Sequence, residues 1–132
     1  MNQSGHSFSF PQKENLKGKK LIEELFKNGS SFYFHPLLVK VLPESDKTIK
    51  HNRVLFSVPK KKFKRAVDRN LLKRRMRESY RLNKPALFPP SVNQFYQIAF
   101  VYTDKSILPY SAINEKLIQA LERLVEIDSD KD

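Results

Sequence analysis

Residues 60–81 read KKKFKRAVDRNLLKRRMRESYR, and the reading of this stretch decides how the rest of the chain is laid out. At about 100° per residue its second half splits into two arcs. Asp68, Leu72, Met76, Ser79 and Tyr80 fall on one arc, flanked by Leu71 and Leu82, while Asn70, Lys73, Arg74, Arg77 and Arg81 fall on the other. A helix divided in this way buries its apolar stripe against a sheet and leaves a row of cations outward. Such a row suits a polyphosphate. Residues 50–81 hold thirteen Lys or Arg against two acidic residues. Residues 1–49 hold seven against five and residues 82–132 hold five against seven, so the chain's net charge of +11 equals that of its central segment. The charge is focused on one segment.

Composition bounds what surrounds that segment. A chain of 132 residues with 39% hydrophobic content, ten Phe and five Tyr has enough apolar surface for one core, and its length fits one domain better than two. The absence of cysteine removes disulfides, thiolate zinc sites and cysteine nucleophiles together. The first ten residues have neither the basic start nor the apolar run of a signal peptide. No window approaches the roughly 18 apolar residues of a membrane span. The expectation is a soluble, cytoplasmic protein without a membrane partner.

Residues 1–14, with Phe8, Phe10 and Pro11 among polar neighbours, read as a flexible N-terminal arm. Leu21, Ile22, Leu25 and Phe26 repeat at helical spacing and predict a helix from Lys17 or Gly18 to Lys27. Asn28-Gly29 closes it, a pair that readily leaves a helix through a left-handed conformation. Ser30 to Leu42 is rich in β-formers, and Pro36 divides it into a broken or bent strand pair. Pro43 to Asn52 is a polar connection, and Arg53 to Val58 is a short strand stopped by Pro59. The cationic stretch therefore starts at a strand end, where the fold holds it in position. Its helix begins between Arg65 and Arg69, with Asp68 suited to the positive end of the dipole. Pro85, Pro89 and Pro90 predict that the helix ends by about Lys84, with Leu87 and Phe88 pinning the loop that follows. Gln94 to Tyr102 is a nearly continuous apolar run, as in a central strand covered on both faces. After Pro109-Tyr110-Ser111, the stripe Ile113, Leu117, Leu121 and Leu124 marks a last helix. Its Glu115, Glu122, Glu126 and Asp128 make it a poor surface for nucleic acid, and residues 128–132 read as a frayed tail.

The residues supply little for catalysis. His6, His35 and His51 lack metal-ligand spacing. Three glycines, at positions 5, 18 and 29, do not make a phosphate-cradling loop, and no serine sits in a nucleophile elbow. Nucleic-acid binding is better motivated, because Lys and Arg attract phosphates and release counterions, and Arg adds forked hydrogen bonds. The candidate RNA-binding set is Lys60, Lys61, Arg65, Arg69, Asn70, Lys73, Arg74, Arg77 and Arg81. Phe26, Phe32, Tyr33 and Phe34 are candidate stacking surfaces for unpaired bases, lining a shallow groove beside the basic element. Composition is equally compatible with RNA and DNA.

The sequence around Val58 to Tyr80 resembles the bacterial ribonuclease P protein component. In that family a Val-Ser-Lys-Lys-like strand exit is followed by Ala-Val, Arg-Asn and a basic helix. Here the matching residues are Val58-Pro59-Lys60-Lys61, Ala66-Val67, Arg69-Asn70, Lys73-Arg74 and Arg77. Leu25-Phe26-Lys27-Asn28-Gly29 is similar to the family's Val-Phe-Lys-x-Gly helix end, and the similarity extends from about Leu16 to Leu124. The resemblance implies an α/β (α+β) fold, a single two-layer α/β sandwich over residues 15–127 with a basic crossover helix. It further implies the protein subunit of an RNA-catalysed endoribonuclease that removes the 5′ leader of precursor tRNA and generates the mature tRNA 5′ end. The implied partners are the catalytic RNA, with one protein subunit per RNA, and precursor tRNA. The implied Mg2+ is held mainly by the RNA and not tightly by the isolated protein. The polypeptide then supplies binding groups, with no catalytic residue of its own. Phe26 matches an aromatic on the wall of the family's leader-binding cleft, and Phe32 and Phe34 are assigned to the same cleft.

Four features depart from the family pattern. Leu71 stands where Arg is frequent, so that Arg75 is offered as a replacement contact. Pro59 stands where Ser is common, Ile22 replaces a frequent Phe, and the Lys62 to Arg65 turn is one residue longer and lacks the usual Gly. Two other classes of function compete for the same residues. A ribosomal or assembly-associated RNA-binding protein would use the same basic helix. A DNA-binding helix-turn-helix would need a short helix where Arg53 to Pro59 reads as strand.

Overall fold

The computed structural model describes residues 14–88 and 94–129. Helix α1 (Lys19–Asn28) leads into strands β1 (Ser30–Phe34) and β2 (Leu37–Pro43), then β3 (Arg53–Ser57). Helix α2 (Ala66–Leu87), strand β4 (Tyr96–Tyr102) and helix α3 (Tyr110–Ser129) follow. The strands form one sheet in the order β1-β2-β4-β3. β1 with β2 and β2 with β4 run antiparallel, whereas β3 and β4 are parallel. A parallel pair needs a crossover connection, and the basic helix α2 is that connection. β4 lies between β2 and β3 and is buried at every position but Val101, as its nearly continuous apolar run predicts.

The two-residue period of the strands sorts the core onto two faces. Leu37, Val39 and Val41 of β2, Val54 and Phe56 of β3, and Ile98, Phe100 and Tyr102 of β4 point to one face. There they meet Leu72, Met76 and Tyr80 of α2 and Ile113, Leu117, Leu121 and Leu124 of α3. This is the main α/β sandwich, and each of these large apolar side chains contributes on the order of 1.5–3 kcal/mol by leaving water. The opposite face carries Leu42, Leu55 and Ala99, on which α1 lays Leu25, with Leu21, Ile22 and Phe26 beside it. Helix α1 covers only part of that face. The row Tyr33, Leu38, Val101 and Ser57, paired in register across all four strands, stays half-buried or exposed.

The structure changes several boundaries. Helix α2 continues past Lys84 to Leu87 with Pro85 in its last turn. The proline removes one helical hydrogen bond, but a closing hydrogen bond and two contacts from outside the helix hold the extra turn. The Phe88 amide donates to the Lys84 carbonyl at 2.8 Å, and the buried Phe88 ring packs on Tyr96. Lys84 Nζ donates to both carboxylate oxygens of Glu14 at 2.9 and 3.0 Å. Glu14, assigned to the arm, is thus a buried partner of α2, and residues 1–13 lie outside the described residues. Asp128, assigned to the tail, is still helical and accepts a 2.6 Å hydrogen bond from the Tyr96 hydroxyl. Residues 130–132 lie outside the described residues, as do Pro89 and Pro90. Gly29 closes α1 in an extended conformation (φ −74°, ψ 151°) instead of a left-handed one.

Candidate nucleic-acid interface

The interface is built from the end of β3 outward. After the buried Val58, the amides of Lys62 and Phe63 donate to the Pro59 carbonyl at 3.2 and 3.3 Å and close a turn. Phe63 is the turn's anchor, buried with its ring edge-on to Tyr102 at 5.8 Å. Arg69, one turn into α2, donates from Nη1 to the carbonyls of Phe63 and Lys64 at 2.7 and 2.9 Å. Lys62 Nζ donates to the Thr103 carbonyl and ties the turn to the end of β4. An aromatic plug below and a guanidinium behind leave Lys60, Lys61 and Lys64 pointing into solvent.

Along α2 the cations divide into engaged and free heads. Arg75 Nη1 donates to the Leu108 carbonyl at 2.6 Å, so the side chain offered as a substitute for a contact at Leu71 ties α2 to the loop before α3. Arg77 lies over the Phe56 ring at 5.8 Å, within cation–π range. Arg81 donates to Glu78, and Arg65, largely exposed, stands 3.9 Å from Asp68. Among the described residues no hydrogen bond or ion pair engages the side chains of Lys60, Lys61, Lys64, Asn70, Lys73 or Arg74. These six lie on the turn and along α2, where Arg74 also lines a cavity with Arg75, Glu78 and Tyr110 at the start of α3. Val67, 58% exposed, and Leu71 make a short apolar step beside Arg74.

The three aromatics assigned to one cleft do not come together. Phe32 and Phe34 pack edge-on to each other at 5.8 Å against the main core, on the face covered by α2 and α3. Phe26 is half-buried with α1 on the other face. Strand alternation explains the separation, since Phe32 and Phe34 share one side of β1 and Tyr33 takes the other. Tyr33, 52% exposed, is therefore the β1 aromatic that shares a face with Phe26.

Sequence reasoning did not find a polar cluster at this end of the sheet. The Tyr33 hydroxyl lies 2.8 Å from His35 Nδ1 and 2.9 Å from Thr103 Oγ1. His35 Nε2 lies 2.8 Å from Asp104 Oδ2, and Thr103 Oγ1 donates to the Pro36 carbonyl at 2.8 Å. Ser106 donates its amide and hydroxyl to Asp104 Oδ1, at 2.7 and 2.6 Å. These hydrogen bonds from Ser106 and His35 lower the Asp104 pKa to about 2. No spacing links His35 to Asp104; only the pairing of β1, β2 and β4 does. The available signal was the phase of Tyr33 against its neighbouring phenylalanines.

Among the described residues no group of three or more His, Asp or Glu is arranged to hold a metal ion, and no helix is long and apolar enough to cross a membrane. A family model described as Ribonuclease P matches residues 10–126. The ribonuclease P protein component of Porphyromonas gingivalis is 32% identical over 120 residues, covering 89% of this chain and 88% of that protein. That of Petrotoga mobilis is 30% identical over 118 residues, covering 88% and 95%. Among solved structures, the RNase P protein from Thermotoga maritima aligns with a TM-score of 0.68 at 25% identity, covering 83% of this chain and 96% of that one. A Staphylococcus aureus RNase P protein mutant with defective mRNA degradation activity aligns with a TM-score of 0.70 at 21% identity, covering 96% and 98%, a likeness of fold.

Proposed function

The chain belongs to the ribonuclease P protein family, which gives it a general part in tRNA processing as the non-catalytic subunit of an RNA-based ribonuclease, and from that premise we propose how its surface serves the reaction. The turn and outward flank of α2, with Lys60, Lys61, Asn70, Lys73 and Arg74 as direct contacts, bind the catalytic RNA. Arg65 and Arg77 add charge at the margins, while Arg69 and Arg81 act chiefly through the turn and through Glu78. The partly open sheet face between Phe26 and Tyr33 receives the single-stranded 5′ leader of precursor tRNA. Phe32 and Phe34 support that face from the core side. One observation supports this reading above the others: six polar or cationic heads without partners stand along a single anchored ridge. Lysine and arginine heads that are not internally paired are those able to exchange counterions for phosphates.

The protein's share is binding. It holds the leader and lowers the charge barrier to assembling two RNAs, while cleavage of the phosphodiester bond stays with the RNA. Mg2+ in the holoenzyme, bound chiefly by RNA, supplies further neutralisation. The subunit works in the cytoplasm at one copy per RNA. The test is single-turnover cleavage of precursor tRNA by a cognate catalytic RNA at low divalent metal, with a long or a minimal 5′ leader. Stimulation should grow with leader length and fall when Lys73 and Arg74 are both neutralised. A folded protein that leaves cleavage by its cognate RNA unchanged would sink the reading.

A further inference from the structure

We propose that Tyr33, His35, Lys61 and Lys105 form a nucleotide subsite for single-stranded RNA at the end of the sheet, with the Tyr33 ring as its stacking platform. The choice of RNA as occupant rests on the function proposed above. Three connections converge there: the β1–β2 turn at His35-Pro36, the residues after β4, and the turn between β3 and α2. They line one cavity with His35, Lys61, Lys62, Thr103, Asp104 and Lys105.

The aromatic is preorganised. Tyr33 is half exposed and outside the core, yet its hydroxyl is held at 2.8 and 2.9 Å and its ring stands edge-on to His35 at 6.0 Å. Fixing the tip of an exposed ring removes the ordering cost that a free side chain meets on binding. A base of any identity can stack on such a platform. The charge is suitable as well. Three lysines face one carboxylate, and Asp104 is already saturated by Ser106 and His35. A phosphate entering the cavity meets Lys61 and Lys105, whose side chains are exposed and without partners among the described residues.

Counting protons adds a second feature. Ionised Asp104 can only accept, so His35 Nε2 carries a proton. Thr103 spends its hydroxyl proton on the Pro36 carbonyl, so Tyr33 must donate to Thr103. Nδ1 must then donate to Tyr33. All four bonds form together only when both ring nitrogens are protonated, which locks the platform and adds a positive charge. The groups facing the imidazole are Tyr33 on β1, Asp104 and Lys105 after β4, and Lys61 and Lys62 before α2.

The experiment is fluorescence anisotropy of the full chain with an unstructured single-stranded RNA oligonucleotide. Tyr33→Ala should weaken binding roughly 5-fold or more, the loss of one stacked base. Lys105→Ala should weaken it and reduce the salt slope by about 0.7. His35→Gln cannot complete the four hydrogen bonds and should weaken binding. Tyr33→Phe keeps the ring but breaks the network, so it should retain most of the affinity. If Tyr33→Ala and Lys105→Ala bind like the wild type while Arg74→Ala binds more weakly, the subsite is overturned and the basic-ridge reading stands. If the unaltered chain binds no RNA, both are overturned.

Discussion

At Gly29 the backbone is in an extended conformation that any residue adopts, yet the position admits only glycine. A Cβ there would stand 2.5 Å from the Leu25 carbonyl oxygen and 3.0 Å from that of Val41, because the end of α1 is pressed against β2. Both obstacles are backbone atoms and cannot rotate away. Gly29→Ala should therefore cost about 1–3 kcal/mol, as overpacking does. The entropy that alanine removes from the unfolded chain, about 0.4–1 kcal/mol, is too small to offset it. A lower urea midpoint at unchanged slope is the expected result; a midpoint at or above wild type would show that the helix end can give way. The same scale governs the cations. Arg69 and Arg74 look alike in sequence, but one reaches two carbonyls of the turn and the other reaches none. Which head is free depends on where the chain's own carbonyls stand, and that information is not local.

Between elements, the connections at the ends of strands carry the polar ties, and the clearest is Asp104 joining the β4 end to the β1–β2 turn. Its carboxyl titrates at about 2 instead of the usual 3.8, through Ser106 first and His35 next. A depressed carboxyl contributes stability that is fully present above its unfolded pKa and is lost as pH falls through its folded one. Asp104→Asn should therefore lower the melting temperature at neutral pH, and its gap from wild type should close between about pH 4 and pH 2. The Asp104 carboxyl carbon, followed by NMR, should titrate near the lower end of that window. Titration near 3.8 would remove the tie. Elements with a long pattern were legible from sequence: the two arcs of α2, the nearly continuous apolar run of β4 and the stripe of α3. The end of α2 was misplaced because the rule applied at Pro85 is local, whereas Phe88 on Tyr96 and Lys84 on Glu14 are contacts across the fold. The three cleft aromatics fall on two faces of the sheet for a different reason. Their strand was recognised, but its phase against the core, which puts Phe32 and Phe34 inward and Tyr33 outward, is set by pairing with β2.

For the whole molecule the consequence is a charge that is local in space as well as in sequence. The basic ridge follows the end of β3 and α2, while α3 carries Glu115, Glu122 and Glu126. RNA binding governed by net charge alone and binding governed by this ridge differ in their response to salt. Five cationic heads, those of Lys60, Lys61, Lys64, Lys73 and Arg74, have no partner among the described residues. At about 0.7 to 0.9 ions released per contact, they should give a plot of log K against log salt with a slope between about −3.5 and −4.5 for the catalytic RNA. Lys73→Ala should remove about one contact's worth of that slope. Arg81→Ala should remove much less, because its guanidinium is paired with Glu78. Lys47→Ala deletes an exposed charge from the β2–β3 connection and should leave the slope unchanged. Equal losses for all three variants would mean that the RNA senses only the total charge. A graded loss, largest at Lys73 and absent at Lys47, would follow from a ridge whose free heads are set by the Phe63 plug, the Arg69 clamp and the strand end beneath them.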